Sequence, residues 1–135
     1  MEGDLVRLRL PGDPAYGRLA RIAATALARR LGFSFRQTED LALAVDETVI
    51  LLLQTTDDEP VIDGLVVELD VVGGGITLTA RAELAEGSDA GDPAALPVPE
   101  PAHQRFEALV STTVPDWTVD AERRQVVLRT GPPTG

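Results

Sequence analysis

The chain reads as an α+β two-layer sandwich, a mixed or antiparallel sheet with helices on one face. Two observations predict this class. Strand-like and helix-like patterns follow the order β-α-α-β-β-loop-α-β-β, which groups strands apart from helices and disfavours a doubly wound parallel sheet. And 135 residues with 44% apolar content and a mean hydropathy of +0.03 suffice for one core, hence one domain over residues 1–135.

Each element has its own signal. In "DLVRLRL", Asp4 to Leu10, Leu and Val alternate with Arg7 and Arg9 near the period of two that marks a half-buried strand, and Pro11-Gly12 ends it. From Asp13, the residues Tyr16, Leu19, Ala20, Ala23, Ala26, Leu27, Arg30 and Leu31 recur at spacings of three and four. Pro14 suits a first turn and Gly32 a C-terminal cap, so one amphipathic helix of about five turns is expected. "SFRQ", Ser34 to Gln37, has the form of a capping box, and a second helix should run to about Gln54. Its stripe is Leu41, Ala44, Val45, Thr48, Val49 and Leu52. "LVVELDVV" and "ITLTARAEL" flank Gly73-Gly74-Gly75 and read as a hairpin. Residues 85–102, rich in Gly, Pro and Ala, read as a mobile loop outside the core. A third helix is expected over roughly His103 to Thr113, with Phe106, Leu109 and Val110 on one face. "DWTVD" and "QVVLRT" flank Ala121 to Arg124 as a closing hairpin, and residues 131–135 form a tail.

Composition excludes several function classes. A net charge of −10 argues against direct nucleic-acid binding, which needs a clustered basic face, and favours a basic partner surface instead. No apolar run approaches the roughly 18 residues that span a bilayer, and "MEGDLVRLRL" lacks a basic and then apolar leader, so a cytoplasmic protein without membrane contact is expected. Without cysteine there is no thiolate zinc site and no Cys nucleophile, and a single His, His103, disfavours a His-rich metal site or a Ser-His-Asp triad. All 12 basic residues are Arg, so no Walker lysine exists, and the chain has no Asn.

Two stretches carry a family resemblance. "LPGDPAYGRLARIAATALARRLGFSFRQTEDLALAVDE" and "RFEALVSTTVPDWTVDAERRQVVLRT" resemble the N-terminal half and the closing elements of the RsbW-type anti-sigma factor and serine-protein kinase family, a branch of the GHKL (Bergerat-fold) ATPases. "EDLALAVDETVILL" is similar to that family's "EDLKLAVSEAVTNA". The resemblance implies a Bergerat fold, sequestration of an alternative sigma factor, control by a STAS-type anti-anti-sigma protein, a homodimer, and ATP with Mg²⁺ as cofactor. Glu47 falls on the family's general base. The family's Mg²⁺-binding Asn falls on Leu51, which removes a hard oxygen ligand. Where the family has "DxGxG" this chain has "RAELAEG", and its phosphate loop corresponds to "PVPEPAHQRF", with no glycine to admit phosphate. A retained scaffold that has lost ATP binding and kinase activity is therefore expected. The alternative is an active serine-protein kinase with a rearranged pocket.

Asp46 and Glu47 also have readings of their own. Neighbours on a helix point about 100° apart, so the two carboxylates do not share a site as a catalytic dyad does. They lie at the edge of the buried stripe, facing solvent or an Arg of the first helix, or Glu47 is an inactive ancestral base. Arg21 corresponds to the family's partner-contacting arginine, and a guanidinium suits carboxylates. Arg18, Tyr16 and Asp13 are candidates for the same surface, Asp13 being equally suited to cap the helix. Trp117 is either an interface anchor or core. "TTDDE" is either a metal site or solvated surface.

Overall fold

The computed structural model describes residues 4–54, 62–84 and 98–133. Strand β1 (Leu5–Pro11) leads through a single 3-10 turn (Pro14–Tyr16) into α1 (Gly17–Arg30) and then α2 (Phe35–Leu53). Strands β2 (Ile62–Val72) and β3 (Gly75–Leu84) follow, then α3 (Glu100–Val110), β4 (Asp116–Asp120) and β5 (Gln125–Arg129). All five strands pair antiparallel in the order β1-β2-β3-β5-β4.

Alternation along the strands sorts the two faces. Leu65, Val67, Leu69 and Val71 of β2, Ile76, Leu78, Ala80 and Ala82 of β3, and Val126 and Leu128 of β5 are buried, and nearly all join one core with the helices. Arg7, Glu68, Arg9, Glu83, Asp116 and Arg129 occupy the opposite face and pair across strands, Arg7 with Glu68 at 2.9 Å and Arg9 with Glu83 at 2.9 Å. Helices on one side and a ladder of solvated ion pairs on the other make the α+β two-layer arrangement. The β2–β3 turn needs its glycines: Gly73 and Gly74 take φ of 59° and 79°, the left-handed pair of a two-residue hairpin.

The capping box at Ser34 forms as the sequence predicts. Gln37 N–H donates to Ser34 Oγ at 3.1 Å and Ser34 N–H donates to Gln37 Oε1 at 3.0 Å. Every residue of the predicted α2 stripe is buried.

The first helix differs from its prediction. Asp13 caps the short 3-10 turn, accepting from Ala15 N–H at 2.9 Å, and the α-helix begins only at Gly17. Its buried face is Gly17, Ala20, Ala24 and Ala28, while Leu19, Ile22, Arg30 and Tyr16 are exposed. The reason is close packing on α2. A Cβ at position 17 would meet Val49 Cγ1 at 2.8 Å, so only small side chains let the two helices approach this nearly. The larger side chains turn outward.

Two further expectations are corrected near α3. The helix starts at Glu100, with Pro101 in its first turn, rather than at His103, and ends at Val110. Val98, placed by the sequence in a loop outside the core, is buried, and its N–H donates to Ala121 O at 2.9 Å. Leu109 is exposed, leaving Phe106 and Val110 as the anchors. Residues 85–97 of the predicted loop and the "TTDDE" segment lie outside the described residues, apart from its flank at Gln54. Trp117 stands edge-on to Phe106, with ring centroids 5.4 Å apart and planes at 87°, so the indole packs on the core. Among the described residues no helix is long and apolar enough to cross a membrane.

Candidate functional site

Helix α2 presents two different environments on two of its sides. Glu47 is 8% exposed, on the side that α3 covers. Its carboxylate lies 3.7 Å from the guanidinium of Arg105, which is mostly in solvent. Glu47, Ile50, Leu51 and Gln54 of α2 and Ala102, Arg105 and Phe106 of α3 line a crevice of about 10 Å³. That volume is about one water molecule. Leu51 is 2% exposed within the packing of the core. Arg105 was not legible as a partner of Glu47, because the match depends on where α3 crosses α2 and not on any local spacing.

The other side faces α1. Arg21 Nη1 donates to Asp46 Oδ2 at 3.0 Å, a half-buried ion pair, as one reading of the carboxylate pair had it. Glu47 does not share this environment, since the next residue on a helix turns about 100° away. The antiparallel helices leave a groove on each side of the pair. One, of about 360 Å³, is lined by Pro14, Ala15, Gly17, Arg18, Val49 and Ile50 besides the pair. The other, of about 430 Å³, is lined by Thr25, Arg29, Glu39, Ala42 and Leu43 besides the pair. The structure thus brings Arg18 and Arg21 onto one surface, sets Tyr16 exposed at its start, and commits the Asp13 carboxylate to capping.

Arg124 went unnoticed in the sequence as a turn residue. It is fully buried, takes φ of 49°, and its Nη1 donates to Leu52 O at 2.8 Å, satisfying a carbonyl at the C-terminal end of α2. An arginine in a polar hairpin turn carries no sequence signal for burial. A separate cleft of about 390 Å³ lies at the other end of α2, with Phe33, Val114 and Pro115 as apolar walls and Asp40, Asp116 and Arg129 among its polar groups.

Comparison with known proteins gives a partial match. Over 46 residues the chain is 41% identical to the serine-protein kinase RsbW of Listeria monocytogenes and 37% identical to that of Oceanobacillus iheyensis. Each match covers 34% of this chain and 29% of the relative. The RsbW of Bacillus pumilus is 34% identical over 44 residues, 33% of this chain and 27% of the relative. The matched segment therefore spans less than a third of the length of these curated relatives. No family model matches the chain. The similarity to RsbW extends over about a third of the sequence.

Proposed function

We propose that the protein is an anti-sigma-like regulatory binding module that sequesters an alternative sigma factor, is controlled by a STAS-type anti-anti-sigma partner, and works without ATP-dependent kinase activity. Partial similarity to RsbW supports the regulatory role. The observation that carries the non-catalytic part is the burial of Glu47 under α3 beside a crevice of about 10 Å³. A nucleotide needs hundreds of cubic ångströms and a hard oxygen ligand for its Mg²⁺. Here the metal-ligand position is the hydrocarbon Leu51, and among the described residues no three acidic or His side chains gather to hold a metal. This reading gives the protein no nucleotide cofactor and assigns no catalytic step to Glu47.

The surface this reading gives to a partner is the α1/α2 groove, with exposed Arg18 beside the half-buried Arg21–Asp46 pair. A guanidinium there forks onto carboxylates, which suits capture and exchange between two partners. Recognition through this surface requires no chemistry, only competition.

The second reading, an active serine-protein kinase, draws on the retained Glu47 and on the kinase activity for which the relatives are named. Titration calorimetry with ATP and Mg²⁺ separates the two. Absence of binding heat is expected; binding tighter than about 100 µM, roughly −5.5 kcal/mol, overturns the non-catalytic reading. Affinity capture from the native cell followed by mass spectrometry tests the partners, and recovery of neither a sigma factor nor an anti-anti-sigma protein sinks the regulatory reading.

A further inference from the structure

The Arg21–Asp46 pair stands at the midpoint of a trough. Along α1, positions 17, 21 and 25 step by one turn, and along α2, positions 50, 46 and 42 step by one turn in the opposite direction. The pair is the middle step, and both grooves are lined by it. Four residues rise about 6 Å, so the trough repeats as groove, charge, groove at the pitch of a third helix laid along it, the groove beside Val49 and Ile50 mainly apolar and the one beside Thr25, Arg29 and Glu39 mainly polar with Leu43 on its wall. The walls include exposed apolar side chains on α2, with Leu43 41% and Ile50 37% exposed.

Charge adds direction. Residues 1–38 hold seven arginines and three carboxylates, while residues 39–135 hold five arginines and nineteen carboxylates. Helix α1 itself carries Arg18, Arg21, Arg29 and Arg30 and no carboxylate. The facing wall supplies Asp46 at the middle and Glu39 at one end. A strongly acidic protein thus exposes one cationic helix, and its most central guanidinium is occupied by the chain's own carboxylate at 3.0 Å. Both partners are more than a third exposed, so the pair is exchangeable and weak rather than a structural lock.

We infer that Asp46 is an internal stand-in for a partner's carboxylate. The occupant is an acidic amphipathic helix of a partner protein, which sets one apolar side chain against Ile50 and another against Leu43 and replaces Asp46 with its own Asp or Glu on Arg21. Asp46 thereby weakens capture and keeps it reversible. The inference rests on the proposed regulatory role and adds a built-in competitor at the same surface.

The test uses the full chain and a designed helical peptide of alanine and glutamine, with one central glutamate and a leucine one turn before and one turn after it. Amide-resolved NMR titration should shift Thr25, Leu43, Val49 and Ile50. Asp46→Asn should bind the peptide about two- to fivefold tighter than the parent protein, the range expected when a partly exposed competitor is removed. Replacing the peptide's glutamate by glutamine should abolish the gain, and Arg21→Gln should remove binding to both proteins. Thermal melts of each variant establish that it is folded. Equal affinity of the parent and Asp46→Asn for the peptide overturns the competitor role while leaving the docking of partners intact. Peptide binding by neither protein overturns the inference, and capture of a sigma factor from cells then still upholds the regulatory reading. Self-association of Asp46→Asn in sedimentation assigns the trough to a second copy and also overturns it.

Discussion

Glu47 and Arg105 meet across the α2–α3 contact at 3.7 Å, one carboxylate nearly buried and one guanidinium mostly exposed. That asymmetry decides what each substitution does. Arg105→Ala leaves a buried carboxylate short of its counter-charge and should cost about 1 kcal/mol, because solvent already screens the pair. Glu47→Gln leaves only a solvated arginine and should change stability less. Urea denaturation of the two variants and their combination checks this: the double variant should be closer to the parent than Arg105→Ala alone.

Leu51→Asn restores the residue type that the family resemblance places at the metal. At 2% exposure, an amide there enters the core without designed partners. A loss of about 2–4 kcal/mol is expected, with no thermal shift on adding ATP and Mg²⁺. A clear stabilisation by the nucleotide would reinstate the kinase reading.

Arg124 should rank among the most sensitive positions in the protein. Arg124→Met keeps much of the volume but leaves Leu52 O without the donor now 2.8 Å away. About 2–4 kcal/mol should be lost, seen as a large drop in Tm.

Phe106→Ala removes the residue that ties α3 to the sheet through the edge-on contact with Trp117. The expected cost is about 3–5 kcal/mol. Trp117 is the chain's only indole, so its fluorescence reports this site alone, and emission should move to longer wavelength as water reaches it.

Ser34→Ala tests the start of α2. Losing the side-chain acceptor for Gln37 N–H should cost about 1 kcal/mol, while Ser34→Asp should be tolerated as another good cap.

These positions also separate what the sequence made legible from what it hid. Ser34 with Gln37, the α2 stripe and the Gly73-Gly74 turn are local rules: each depends on residues within a turn or two, and each forms as read. Tyr16 and Leu19 mislead because hydrophobicity at helical spacing does not by itself mean burial. At the α1–α2 contact the deciding quantity is size, and Gly17, Ala20, Ala24 and Ala28 win by letting backbones approach. Arg105 and Arg124 were hidden for a different reason, since their partners are 58 and 72 residues away and exist only once the helices and the last hairpin have docked. Among the site residues, Arg21 and Arg18 fall together on one surface, whereas Glu47 faces the opposite contact.

The strand order has a consequence for how the protein is made. β5 lies between β3 and β4, so the last of these five strands to be synthesised fills an interior place in the sheet. Until Arg129 has left the ribosome, β3 has an open edge and β4 has no neighbour. Newly made protein therefore passes through a stage in which Leu78 and Ala80 lack their cover from β5, and shortening the chain before Gln125 would fix it in that aggregation-prone stage.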